Sequence, residues 1–236
     1  MTNLQRRWRH RGLVVLACAG WIGGCDEYEF PEDATMIAVG DSILSWHKED
    51  GDSIPEVAGR ELGAVMGNAS EPGAPLLGDD DWTIPNQYRT GPWSWVVING
   101  GANDLMDECD CRNCGSVMDR ILSADGTAGE LRRLADRAVS EGARVAVVGY
   151  MNLLPDSEES PRCNDELDTL HERQRAMTDA MPNAVYVSAA EVMDGTDERM
   201  YDDDKLHPSV RGSRGVGLLL AETMAEAEAQ MEADSE

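Results

Sequence analysis

The sequence predicts an α/β protein, a three-layer sandwich in which helices cover both faces of a five-stranded parallel sheet. Three observations lead there. Short, continuous apolar runs recur at 36–39, 95–99, 144–149 and 184–187, with a weaker one at 64–66. Unbroken rather than alternating apolar character marks strands buried on both faces. Helix-period segments separate these runs at 54–62, 127–141 (Leu131, Leu134 and Val139 on one face) and 165–181. Strand and helix alternate throughout, the order parallel strands require, because a crossover must carry the chain back to its starting edge. A chain of 236 residues with 42% hydrophobic types can bury one such core and has no room for two.

Ahead of the first strand, Arg6, Arg7, Arg9 and Arg11 precede an apolar stretch, 13–22, that ends in Gly23-Gly24-Cys25. The stretch is too short for a permanent membrane span and has the layout of a signal peptide over 1–24. Small residues before a cysteine are what the lipoprotein signal peptidase requires, so the segment resembles a bacterial lipobox and Cys25 is the expected lipidation site. The expectation is an exported protein, anchored in the bacterial envelope through a lipid on Cys25 alone, on the periplasmic face. An ordinary signal peptide with an incidental cysteine is the competing reading, and Arg6-Arg7 also admits a twin-arginine signal. The polar, acidic segment 25–34, with Pro31, reads as a tether.

Acidic residues number 45 against 20 basic ones, and removal of 1–24 leaves 16 basic, a formal charge of −29. A phosphate backbone would repel such a chain, which excludes nucleic acid as a partner.

Each chemistry-bearing motif stands at the carboxyl end of a predicted strand or at the start of the last helix. Gly40-Asp41-Ser42 follows the first strand and Gly100-Gly101-Ala102-Asn103-Asp104 the third, where open α/β folds place their sites. Asp204-Lys205-Leu206-His207-Pro208 puts an acid three residues before a histidine. A serine nucleophile needs a neutral imidazole to take its proton, and that imidazole needs a carboxylate to fix its tautomer. Of the four histidines, His10 lies in the signal, His171 reads as a surface residue of a helix, and His47 competes with His207 but has only Glu49 and Asp50 nearby. An Asn side chain and backbone N–H groups can hold the oxyanion of acyl transfer.

These three blocks, in this order, resemble the first, third and fifth blocks of the SGNH/GDSL hydrolases over about 35–225. The resemblance implies a flavodoxin-like sandwich with Ser42 as nucleophile, His207 as base and then acid, and Asp204 as its orienter. It implies Asn103 and the Ser42 N–H as oxyanion donors. The family's second block adds a glycine N–H, best matched by Gly73 within 68–74, with Gly67 and Gly78 as substitutes. The implied activity needs no metal and no cofactor.

Cys109, Cys111, Cys114 and Cys163 remain once Cys18 and Cys25 are set aside. A metal knuckle is one reading, but in an exported chain disulfides are the better one, with three connectivities open. Cys163 joined to any of the other three would staple the loop after the third strand to the loop after the fourth. Trp46, Trp82, Trp93 and Trp95 crowd the first half, as core or rim residues or as a platform for sugar rings. Short connecting loops and the lack of a large apolar lid favour short-chain or carbohydrate acyl esters as small-molecule or glycan substrates. An O-acyltransferase acting on envelope glycans would use the same triad, and a non-catalytic binding lipoprotein is the alternative outside catalysis. The last helix starts near Pro208 and runs through 216–220 into 221–233, where the composition turns Ala/Glu-rich and the apolar stripe fades, and 226–236 reads as an acidic tail.

Overall fold

The structure, a computed structural model, describes residues 30–157 and 160–235. The signal segment 1–24, Cys25 and the first part of the tether lie outside the described residues. Phe30, inside the predicted tether, already packs edge-on against Trp93 with centroids 5.7 Å apart.

Five parallel strands form one sheet: β1 (Met36–Val39), β2 (Met66–Asn68), β3 (Trp95–Ile98), β4 (Arg144–Gly149) and β5 (Ala184–Ser188), in the order β2-β1-β3-β4-β5. β1 pairs with β3 in the register Met36↔Trp95 to Val39↔Ile98 and with β2 from Met36↔Met66. Every residue of β1 and β3 is buried, as a central strand covered on both faces must be.

β2 starts two residues later than its apolar residues suggest. The preceding helix ends at Gly63, which sits left-handed at φ 64°, and Ala64 N–H still donates to Gly59 O at 2.9 Å. Ala64 is therefore used in closing a helix terminus, and the strand begins only after it. Its polar end is buried because the Asn68 amide donates to Leu44 O at 2.8 Å and to Ser53 Oγ at 3.1 Å.

The helices are α1 (Ser42–Ser45), α2 (Ile54–Leu62), α3 (Ile84–Gln87), α4 (Ala102–Cys109), α5 (Gly115–Ile121), α6 (Glu130–Ser140), α7 (Ser160–Asp179) and α8 (Val210–Ser235). α2 packs on α8, whereas α4 joins α5 and α7 and α5 joins α6. α6 begins later than its pattern suggests because Ser123 Oγ and Asp125 Oδ1 take the N–H groups of Thr127 and Ala128 into a turn. α8 runs unbroken through the predicted acidic tail. Its Glu228 accepts from Trp95 Nε1 at 2.8 Å and from Arg144 at 2.9 Å, holding that part of the helix across the lower ends of β3 and β4. Among the described residues no helix is long and apolar enough to cross a membrane.

Two disulfides, Cys109–Cys114 and Cys111–Cys163, tie the end of α4 to the start of α5 and to α7. The second closes a loop over 52 positions of sequence, the first over 5. On chain entropy, replacing both cysteines of Cys111–Cys163 by serine is expected to cost about 4 kcal/mol, and the same change at Cys109–Cys114 about 2 kcal/mol. Urea denaturation of the two double variants checks that order; equal losses would refute it.

Burial pushes the Glu56 carboxyl of α2 up to about 7 from its ordinary 4.5, with its own N–H, Asn68, Lys48 and Arg60 only partly offsetting. Between those values the folded protein keeps a proton that the unfolded chain has released, so this group's contribution to stability falls as pH rises through that window. Unfolding free energy measured at pH 5 and pH 8 is expected to decline less in Glu56→Gln than in the wild type, and an identical decline would show that Glu56 is not the source.

Candidate active site

The sheet order places a switch point between β1 and β3, since the chain leaves β1 toward β2 on one side and returns as β3 on the other. A crevice opens there at the carboxyl ends of the strands. Ser42 follows β1 and Asn103 follows β3, so the first and third predicted motifs face each other across it.

Gly40 makes the turn into α1 possible: a Cβ there would stand 3.0 Å from Leu44 Cδ1 and 3.1 Å from Asn99 O. Its peptide is held by the buried Gln87 side chain, which accepts from Gly40 N–H at 2.8 Å and donates to Gly40 O at 3.0 Å. Asp41 then caps α1, its Oδ1 accepting from Ile43 N–H at 3.0 Å. Ser42 is thus the first helical residue. Among the described residues neither its N–H nor its hydroxyl has a hydrogen-bond partner, so both are available to a ligand.

Asp41 is 1% exposed, and its Oδ2 accepts from the Tyr150 hydroxyl at 2.5 Å. The same hydroxyl accepts from Ala102 N–H at 3.0 Å. One phenol therefore joins the loops after β1, β3 and β4. Burial raises the Asp41 carboxyl, against the lowering effects of Tyr150, the Ile43 N–H and His207, and burial beside Asp41 holds the Tyr150 phenol well above its ordinary range.

Asn103 lies in the first turn of α4, preceded by Gly101 at φ 113°, a conformation L side chains rarely adopt. One Asn103 amide hydrogen goes to Ala74 O at 3.1 Å, leaving a second for a substrate oxygen. Asp104 next to it is 2% exposed and accepts from Leu76 N–H and Leu77 N–H, each at 2.8 Å. Burial pushes its carboxyl up to about 6 in spite of these bonds. The two residues fasten the loop that carries Gly73 against α4, and Gly73 lines the same cavity as Ser42 and Asn103.

The third motif is a closed turn. Tyr201 and Pro208 form an antiparallel bridge, Asp202 N–H donates to His207 O at 2.8 Å, and Lys205 turns the chain at φ 59°. Inside it Asp204 Oδ1 accepts from Leu206 N–H and His207 N–H, each at 2.9 Å, and Oδ2 accepts from His207 Nδ1 at 2.6 Å. Partial burial would raise the Asp204 carboxyl, but the bonds from His207 and Leu206 outweigh it and hold it below its ordinary value. Asp204 is thereby kept ionised, and the His207 tautomer leaves Nε2 free on the cavity side.

The cavity holds about 220 Å³ and brings Ser42, Gly73, Asn103 and His207 together. Asp41 and Tyr150 also line it, and most of the rest of its wall is apolar, including Met106, Met151, Leu153, Leu167 and the Cys111–Cys163 disulfide. Neither of the other described histidines belongs to it. His47 donates from Nε2 to Pro208 O at 3.1 Å and so latches α1 to the His207 turn. His171, expected on the surface, is 9% exposed on the buried side of α7, and burial lowers it to about 4. Gly67 lies inside β2 against Phe30, and Gly78 does not reach the cavity.

Gln87 and Tyr150 carry no motif and were not legible as site residues. Tyr150 does obey the rule that found Ser42 and Asn103, standing just past the carboxyl end of a strand. Trp46, legible as a core or rim residue or as a platform for sugar rings, lies at the cavity with its indole flat against the His207 ring.

No curated protein sequence matches the chain. Solved structures show the fold. A carbohydrate acetylesterase from Sinorhizobium meliloti superposes with a TM-score of 0.61 at 16% identity, covering 82% of this chain and 99% of that one. A carbohydrate esterase family 2 enzyme with a carbohydrate-binding domain, from Corynascus thermopiles, gives 0.58 at 16% identity over 86% of this chain and 68% of that one. An alpha/beta hydrolase enzyme from the metagenome of Lake Arreo gives 0.57 at 13% identity over 85% and 97%. The family model of the GDSL-like lipases and acylhydrolases matches residues 38–214, which takes in the end of β1, Ser42, Asn103 and the Asp204–His207 turn, and the chain belongs to that family.

Proposed function

We propose that the protein is a serine esterase that cleaves short acyl esters, including those of carbohydrates, through an acyl-Ser42 intermediate. The observation that carries the reading is the Asp204–His207 pair, 2.6 Å apart, whose His207 lines the cavity that also displays a Ser42 hydroxyl with no partner among the described residues.

In this reading His207 Nε2 takes the Ser42 proton as Oγ attacks the ester carbonyl. The oxyanion forms toward the Ser42 N–H, the free Asn103 amide hydrogen and the Gly73 N–H, each such donor being worth about 3 kcal/mol. The C–O bond to the alcohol breaks, and the alcohol leaves with the proton from His207. Water then attacks the acyl-enzyme, giving its proton to His207, and the second tetrahedral intermediate collapses to release the acid and return the proton to Ser42.

Size and lining support the choice of acyl group. A cavity of about 220 Å³ with apolar walls suits a short acyl chain, each buried methylene contributing roughly 0.8 kcal/mol. The carbohydrate alcohol is supported by a second hollow, about 230 Å³, behind the 71–73 loop. Trp82 stands in it 48% exposed, 3.9 Å from where a Cβ on Gly73 would lie, beside Glu71, Asp81, Asn86 and Arg89. An exposed indole ringed by carboxylates, an amide and a guanidinium has the chemistry of a sugar platform. The N-terminal segment supports export, with Cys25 carrying the lipid anchor; an unmodified cysteine in the mass spectrum of the mature protein would remove the anchor.

Hydrolysis of p-nitrophenyl acetate, butyrate and octanoate and of a peracetylated sugar tests the whole reading. Ser42→Ala and His207→Ala are each expected to lower kcat by 10³-fold or more, about 4 kcal/mol, with acetate and butyrate outpacing octanoate. Trp82→Ala is expected to raise KM several-fold for the sugar ester alone. A folded wild type that neither turns over these esters nor is labelled by a serine-reactive phosphonate would sink the proposal, and acyl transfer to a sugar in place of acid release would convert it to an acyltransferase.

A further inference from the structure

We propose that Trp46, held in place by Asp202, is a positioning residue that fixes the plane of the His207 ring during the reaction; the proposal rests on the reading of His207 as the general base.

The indole lies on the imidazole with centroids 3.8 Å apart and planes inclined by 6°. Its Nε1 donates to Asp202 Oδ2 at 2.7 Å. Asp202 belongs to the His207 turn, where its N–H donates to His207 O at 2.8 Å and its Oδ1 accepts from Asp203 N–H at 2.9 Å. The other end of the assembly is the nucleophile turn, because Trp46 closes α1 with its N–H on Ser42 O at 2.9 Å. A closed circuit results: Ser42, the α1 turn, Trp46, Asp202, His207.

Asp204 holds the imidazole by a single ring atom, Nδ1, at the edge of the ring. One such bond fixes the tautomer but leaves the ring free to rock about it. A flat partner on the face removes that freedom. His207 Nε2 has to meet first Ser42 Oγ and then the leaving oxygen at about 3 Å, so a loss of ring orientation is felt in both proton transfers. The same indole face attracts the imidazolium that forms as the proton arrives, an interaction absent before the reaction begins. Of the acids Asp202, Asp203 and Asp204, Asp204 thus acts at the ring edge and Asp202, through Trp46, at the ring face.

Trp46 also lines the cavity, so its replacement alone cannot separate orientation from substrate contact. Asp202 does not line it, which makes Asp202 the informative position. The experiment measures kcat and KM for p-nitrophenyl acetate in the wild type, Asp202→Ala, Asp202→Asn, Trp46→Phe, the double variant Trp46→Phe/Asp202→Ala, and His207→Ala. Asp202→Ala is expected to lower kcat about fivefold with KM unchanged. Asp202→Asn, whose amide oxygen still accepts from the indole, recovers most of that loss. Trp46→Phe keeps a flat ring but cannot reach Asp202, so adding Asp202→Ala to it costs clearly less than in the wild type, only what Asp202 contributes through Asp203 N–H and His47. An unchanged kcat in Asp202→Ala, a change confined to KM, or an equal loss from Asp202→Ala in both backgrounds would overturn the proposal, and the Asp202 variants decide it even if Trp46→Phe does not fold. Wild-type turnover by His207→Ala would instead bring down the functional reading itself, and this proposal with it.

Discussion

The parallel pairing of β1 with β3 is the constraint on which the rest of the molecule depends. Because β2 lies on the far side of β1, the connections after β1 and β3 diverge, and the gap between them is the only reason that Ser42 and Asn103, 61 positions apart in sequence, can serve one cavity. Neither loop would hold its place unaided. Gln87 grips the Gly40 peptide, Asp104 grips the loop of Gly73, and Tyr150 joins Asp41 to Ala102 from the end of β4. Each tie is a buried polar group whose loss would strand its partner away from water, so the rigidity of the cavity follows from the cost of leaving those groups unpaired.

The acidic residues of the site show how environment, not residue type, sets a role. Asp41 and Asp104 are buried and raised by burial, and their oxygens serve as acceptors that organise loops. Asp204 is held low by hydrogen bonds from the turn it closes, and Asp202 is held low first by the Trp46 indole and then by the Asp203 N–H. Two aspartates of one short loop thus stay ionised and act on the same imidazole, while the two behind them act on backbone N–H groups and, for Asp41, on the Tyr150 hydroxyl as well. The remaining acids among the described residues lie mostly on the surface, and the chain's excess of acids over bases speaks to solubility and not to this chemistry.

Much of this was legible in the chain. The apolar runs located every strand, β2 to within two residues, because strands buried on both faces leave a signal that needs no tertiary context. The Asp204–His207 spacing was readable because the pair closes within one turn. Gln87 and Tyr150 were not readable as site residues, nor was the stacking of Trp46 on His207: their partners lie at Gly40, at Asp41 and at Asp202 and His207, and sequence carries no mark of contacts across such distances. The connectivity Cys111–Cys163 was one of three until α4 and α7 were packed together. His171 was misjudged for a related reason, since charged neighbours along a helix do not reveal which face another element will cover.

Local chemistry, then, determined what this protein is made of: the parallel sheet, the family motifs, and a histidine with its own carboxylate. These depend on residues within a strand or a turn of one another, where geometry is set by the backbone itself. Tertiary structure decided which cysteines pair, which histidine is buried, and that a tryptophan four residues beyond Ser42 lies flat on the His207 ring. Those outcomes depend on where the sheet order and helix packing bring distant segments, and burial, which fixes their energies, exists only once the chain has folded.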